Sequence, residues 1–345
     1  MIVVFTGGTG GTKLVQGLQQ VLYGARLSVP DDLVSGHDFS CAEQAPCLAR
    51  EESVENKLTV IVNTGDDLEW WGLHVSPDTD SVLYGLAGLL SRERGWGVEG
   101  DSFRCLERMK QMGEPSWFSI GDLDLATHLT RTALLRAGKT LSEATAAVAA
   151  KLGVRARVLP MSDDHVATIL ETGKGTLTFQ EYFVRERHQV EVHAVRFEGA
   201  EQARPTPGVV EAIESAEAII FAPSNPVTSI GPILAVPGIR EALRGAKAPV
   251  LAVSPIVSGS AVSGPAGKLM QMMGWGSSVA GVARAYEDFL GLLVVDEADG
   301  AEAERLNGDV LRVLCANTVM RCDEDKRALA QAVLQASGMM KSVTA

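Results

Sequence analysis

Three turns rich in glycine and serine each close a short apolar run, and together they limit this chain to a narrow set of folds. The first is Thr6-Gly7-Gly8-Thr9-Gly10-Gly11-Thr12-Lys13, after Ile2-Val3-Val4-Phe5. The second is Pro223-Ser224-Asn225-Pro226-Val227-Thr228-Ser229, and the third runs from Ser258 through Ser263, Gly264 and Gly267 to Lys268. Small residues let backbone N–H groups close on an anion. In an open α/β sheet, ligands bind beyond the carboxyl ends of the strands. All three turns fall at such ends, as does Asn63-Thr64-Gly65-Asp66-Asp67 after the apolar run 58–62. The pattern predicts a Rossmann-like, doubly wound, mostly parallel sheet holding a ligand with several negative groups, most simply phosphates.

The rest of the chain is consistent with one α/β domain over its 345 residues. Strands are expected at 2–6, 58–62, 217–222, 249–254 and 291–295. Helices are expected at about 12–24, 81–93, 101–112, 122–137, 141–152 and 324–337. Residues 25–57 are polar and charged and read as an exposed insert. Between 157 and 205 the period changes: two alternating runs flank Thr172-Gly173-Lys174-Gly175, a hairpin signal, so a small β-rich subdomain is expected there.

Apolar residues make up 46% of the chain, enough for a large core, and the formal net charge is -12. That charge disfavours a nucleic-acid-binding face. An acidic protein that holds phosphates then needs backbone dipoles, a few lysines or a divalent cation. The five cysteines show no metal or disulfide spacing. Neither a signal peptide nor a membrane-spanning run is visible, so a cytoplasmic protein is expected.

The glycine turn fits neither standard nucleotide motif. Lys13 stands where a dinucleotide fingerprint needs its third glycine, and Thr12 separates Gly11 from Lys13, which breaks the P-loop spacing. Asp66 and Asp67, then Asp78 and Asp80, put four carboxylates within fifteen positions. Oxygen ligands of this kind suit Mg²⁺ beside a substrate phosphate, while helix capping is the competing role for Asp78 and Asp80. Asp124 and His128 lie four apart on one helical face, fitting either a substrate-orienting role or a local ion pair. Trp70, Trp71 and Trp275 suit stacking on a flat ligand or plain packing.

Taken together, these stretches resemble the 2-phospho-L-lactate transferase family. The resemblance rests on the glycine turn, Asn63-Thr64-Gly65-Asp66-Asp67, Ser76-Pro77-Asp78-Thr79-Asp80, Gly121-Asp122 with Ala126-Thr127-His128, Leu159 to Asp164, Pro223-Ser224-Asn225-Pro226 with Ser229-Ile230-Gly231-Pro232, and Val262 to Lys268. It runs from about residue 1 to 337. The family makes coenzyme F420, and the resemblance implies a Mg²⁺-dependent enzyme, commonly a homodimer. It would move a phospholactyl-type group (phospholactate, phosphoenolpyruvate or 3-phosphoglycerate) from a guanosine diphosphate-linked donor to the ribityl hydroxyl of the deazaflavin Fo, releasing GMP. It also implies roles. Asp66 and Asp80 are catalytic and, with Asp67, hold the metal. Gly8, Thr9, Gly10, Gly11 and Lys13 meet the diphosphate. Ser224, Asn225, Ser229, Ser263, Gly264 and Lys268 line the nucleotide side, and Ser119, Asp122 and His128 contact substrate. No nucleic acid or membrane is implied. The alternative is a non-catalytic, nucleotide-sugar-binding regulator of the gluconeogenesis-factor type. It is disfavoured because Leu68-Glu69-Trp70-Trp71, not a glycine/serine run, follows the acidic turn.

Overall fold

A computed structural model describes residues 1–24 and 57–340. Seven strands form its central sheet: β1 Ile2–Thr6, β2 Leu58–Val62, β3 Arg157–Pro160, β4 Ala218–Phe221, β5 Val250–Val253, β6 Leu292–Asp296 and β7 Arg312–Ala316. All pairs are parallel, in the order β3-β2-β1-β4-β5-β6-β7. The order reverses at β1, where Val4 faces Val60 on one side and Ile220 on the other. The crevice between the carboxyl ends of β1 and β4 is therefore the topological switch point, the usual ligand position in such sheets.

Helices cover both faces, which is why the inner strands read as unbroken apolar runs. Val3, Phe5, Ile219 and Phe221 pack beneath helices Val209–Glu214, Gly231–Ala235, Ile239–Arg244 and Val279–Ala285. Phe5 and Phe221 stack with ring centroids 4.7 Å apart. The alternate residues Ile2, Val4 and Ile220 pack beneath Thr9–Tyr23, Pro77–Ala87 and Asp323–Ala336. A second, antiparallel sheet joins Gly175–Thr178, Ala167–Thr172 and Val192–Glu198, with the expected hairpin at its tip.

Three elements differ from the sequence expectation. Residues 157–160 belong to the central sheet rather than to the β-rich segment, with Val158 paired to Val60. Strand β7 was not anticipated: it lies at the sheet edge, its residues are at most half-buried, and Arg312 interrupts the apolar stretch Val310–Ala316. The second long helix begins at Pro77 rather than near Ser81. Proline suits that first helical position, where a missing N–H costs nothing. The expected insert over 25–57 lies outside the described residues apart from Lys57. Among the described residues no helix is long and apolar enough to cross a membrane.

Candidate active site

The first two turns meet at the switch point. The Gly7 N–H donates to Ser224 Oγ at 3.1 Å, and Thr6 Oγ1 lies 3.4 Å from the same hydroxyl. A methyl group on Gly11 would overlap Thr6 Oγ1 and come within 2.7 Å of Ser224 Oγ, while one on Gly10 would sit 3.0 Å from the Pro223 carbonyl. The glycines are thus required by the closeness of the neighbouring turn. A Gly11→Ala variant is expected to lose stability through displacement of the turn, which a thermal melt against wild type measures. Asn225 shapes the second turn: its Oδ1 accepts from Val227 N, its Nδ2 donates to Thr228 Oγ1, and its carbonyl accepts from Ser229 N.

The acidic turn after β2 enters the same space. Asn63 donates to Asp78 Oδ2 at 2.9 Å, and its Oδ1 accepts from Gly65 N at 2.8 Å. A methyl on Gly8 would lie 2.5 Å from Asp78 Oδ1, and one on Gly7 2.5 Å from Ser229 Oγ. Gly7, Gly8, Asn63, Asp78, Ser224 and Ser229 therefore form one cluster. Asp66 is buried, and its Oδ1 has no hydrogen-bond partner. Burial first, then repulsion from Asp78, holds its carboxyl well above the ordinary range. Burial likewise pushes Asp78 up to about 7, with Asn63 opposing the shift. A buried and a half-buried carboxylate that repel each other beside a glycine turn form a site that favours a cation.

From sequence, Asp78 and Asp80 carry the same two readings, metal ligand or helix cap, and the resemblance implies Asp80 for the site. The structure separates the two. Successive helical residues turn by about 100°, so positions two apart point in nearly opposite directions. Asp78 faces the glycine turn, and Asp80 faces helix Asp122–Arg136. There Asp80 forms a buried two-pronged ion pair with Arg131, through Nη1 at 3.1 Å and through Nη2. Arg131 is 0% exposed. His128 stands between Asp80 (3.5 Å) and Asp124 (3.2 Å), and Tyr84 donates to Asp124 at 2.7 Å. Asp80, Asp124 and His128 are close enough to share a metal ion, but the Arg131 guanidinium already supplies positive charge to Asp80. Sequence analysis missed Arg131, although its spacing from Asp124 and His128 (four, then three) marks one helical face.

Other sequence-singled residues divide. Asp67 Oδ2 accepts from Ser76 Oγ at 2.7 Å and pairs with His74 at 3.0 Å, leaving Oδ1 buried without a partner. Burial raises its carboxyl, against the lowering effect of His74. Asp122 accepts from Ser102 Oγ, Arg104 N and Cys105 N, so it caps helix Arg104–Gln111. Asp101 returns the favour by accepting from Leu123 N and Asp124 N at the start of helix Asp122–Arg136. A side chain on Gly121 would collide with the Asp101 carboxylate. Lys13 donates to the Met320 carbonyl at 3.2 Å, which ties it to the segment after β7. Ser119 is half-buried on the loop before Ile120. Ser263, Gly264 and Lys268 are exposed. Their turn is held by Asp299, which accepts from Ser258 N, and Gly264 lies beside Phe183. Trp70 is packed edge-on against Trp117 at 4.8 Å and against Phe118 at 5.9 Å. Trp275 packs against the main core.

Comparison with known proteins shows the family. The family model described as 2-phospho-L-lactate transferase CofD matches residues 2–336. A 2-phospho-L-lactate transferase from Methanosarcina mazei is 40% identical over 338 residues, 97% of this chain and 100% of the relative. A phosphoenolpyruvate transferase from Streptomyces griseus is 41% identical over 342 residues, 97% of each chain. Among solved structures, a UPF0052 family protein from Bacillus halodurans superposes with a TM-score of 0.57 at 17% identity, covering 96% of this chain and 98% of that one, a likeness of fold alone. With the family's match running from the first strand to the last helix, the chain belongs to the 2-phospho-L-lactate transferase CofD family.

Proposed function

We propose that this CofD-type transferase moves a phospholactyl-type group from a guanosine diphosphate-linked donor to the ribityl hydroxyl of Fo, giving a phosphodiester and GMP. The observation that carries this reading is the meeting of the Gly7–Gly11 turn with Ser224, Ser229 and Asp78 in one cluster. Phosphoryl transfer asks a protein mainly for in-line positioning and charge neutralisation. In this reading the donor's diphosphate lies along the backbone of Gly8 to Gly11, at the start of helix Thr9–Tyr23, where unpaired N–H groups and the helix dipole favour anions. Ser224 and Ser229 border it, and the exposed Ser263, Gly264 and Lys268 form the outer nucleotide side. The relatives carry both phospholactate and phosphoenolpyruvate names, so the donor's acid is one of that three-carbon class.

Asp66 and Asp78 would hold Mg²⁺, which their hard, crowded oxygens fit; bound there, it supplies charge neutralisation for the diphosphate. Asp80 is engaged by Arg131 and supports the site from behind, while His74 and Ser76 hold Asp67 through Oδ2 alone. The free Oδ1 of Asp67 takes the proton of the attacking hydroxyl, a late demand in a loose transition state.

Equilibrium binding tests the reading. Fo and GDP are expected to bind the purified chain, each without the other. Binding of a UDP-sugar with neither Fo nor GDP would replace it with the regulator. Excess EDTA is expected to stop product formation, with excess Mg²⁺ restoring it; turnover unchanged in EDTA would remove the metal.

A further inference from the structure

The third turn rich in glycine and serine begins as a tight hairpin. Ile256 pairs with Ala261, Val257 pairs with Ser260, and the Val262 N–H donates to the Pro255 carbonyl at 3.1 Å. Only Ser258 and Gly259 make the loop, with φ of 49° and 75°. The commonest two-residue hairpin loops need left-handed backbone at both positions, which suits Asn-Gly or Gly-Gly. Serine adopts that backbone against its side-chain sterics. Asp299 holds it there. The Ser258 N–H donates to both oxygens of this buried carboxylate, at 3.0 and 3.1 Å. Asp299 stands at the start of helix Gly300–Leu306, where an aspartate ordinarily caps its own helix, yet its side chain makes no cap there. Its charge is directed at the hairpin instead, and a hydrogen bond to an ionised acceptor is the stronger kind. Ser277 Oγ steadies the other loop residue by donating to the Gly259 carbonyl at 2.8 Å.

Strand order gives this hold its consequence. The hairpin follows β5, and Asp299 follows β6, the neighbour of β5 on the side away from β4. Val262, Ser263 and Gly264, just past the hairpin, lie at the same end of the sheet as the Pro223–Ser229 turn. Val262 is 56% exposed, and Ser263 and Gly264 are exposed as well, so packing does little to fix them. The hairpin sets where they stand. We propose that Asp299 is a positioning residue for the guanosine diphosphate-linked donor, fixing the Val262–Gly264 loop at the nucleotide side by holding Ser258 left-handed. The inference rests on the transferase reading, which puts the nucleotide there, and adds a residue that acts without touching it. A loop ordered before the ligand arrives binds more tightly, because the ordering cost falls on folding rather than on binding.

Calorimetric titration of GDP beside fluorescence titration of Fo tests this. Asp299→Ala removes both acceptor oxygens. Asp299→Asn keeps one and serves should the alanine variant fail to fold. The dissociation constant for GDP is expected to rise about tenfold in Asp299→Ala and about threefold in Asp299→Asn, with Fo affinity within about twofold of wild type in both. KM for the donor should rise with it while kcat holds. Adding Ser258→Asn to Asp299→Ala gives the loop a residue that favours left-handed backbone, and is expected to restore GDP affinity. Wild-type GDP affinity in both single variants overturns the assignment. So does an equal loss of GDP and Fo affinity, which would make Asp299 a general support of the fold, and so does a double variant that recovers nothing. Failure of wild type to bind GDP at all would instead count against the transferase reading.

Discussion

Asp78→Asn is expected to remove activity and stabilise the metal-free protein at the same time. Turnover should fall on the order of 10³-fold or more, the scale of several kcal/mol of lost charge stabilisation at a metal-assisted centre. Stability should move the other way. Burial pushes the folded carboxyl of Asp78 up to about 7, above the ordinary aspartate value of about 3.9. The folded state therefore binds more protons than the unfolded state between those values, so stability falls as pH rises through that window. Asparagine removes the charge and keeps the contact with Asn63. The melting temperature of the variant should exceed that of wild type at pH 8 without metal, and the gap should close towards pH 4. Added Mg²⁺ should raise the melting temperature of wild type, because a ligand of the folded state stabilises it, and should leave the variant unmoved. Thermal melts across pH, with and without Mg²⁺, read every part of this. A variant that is less stable at pH 8 and still active would place the repelling pair elsewhere.

Arg131→Met should be the most damaging single change in the helical layer. It leaves Asp80 buried without its cation, and breaking a buried pair from one side costs roughly 3–5 kcal/mol. Asp80→Ala should be comparably destabilising, because it strands a guanidinium that is 0% exposed. Loss of activity in Asp80→Ala would therefore report on folding as much as on chemistry. The double variant Asp80→Asn/Arg131→Met should recover most of the lost stability, since neutral replacements of buried pairs are often tolerated. Urea unfolding of the two single variants and the double measures the coupling. Additive losses in the double variant would deny that the two side chains act as a unit.

Much of this architecture was legible in the chain because strand ends announced themselves. Mostly apolar runs leading into turns of glycine, serine, asparagine or aspartate marked five of the seven strands and the crevice they share. The missed strands were less distinct: Arg312–Ala316 is a half-buried edge whose apolar stretch Arg312 interrupts, and Arg157–Pro160 adjoins a segment with a different period. The acidic turn was legible as a site, but the partition of its carboxylates was not. Asp78 and Asp80 differ only by their angle around a helix whose start at Pro77 sets that angle. Without that boundary, either residue fits a metal. Arg131 and Asp101 act across space, on Asp80 and on helix Asp122–Arg136, and no local pattern named their partners. Lys13 shows the converse: a lysine beside a glycine turn looks like a phosphate ligand until the fold brings the Met320 carbonyl to it.

Product analysis tests the central claim most directly. The chain is incubated with Fo, Mg²⁺ and a guanosine diphosphate-linked phospholactate or phosphoenolpyruvate donor, and the mixture is resolved by mass spectrometry. The account expects Fo to be converted to its phosphodiester with GMP formed in equal amount, and expects neither product with Asp78→Asn. Intact Fo and donor after prolonged incubation with folded wild-type protein, or equal conversion by Asp78→Asn, would contradict it.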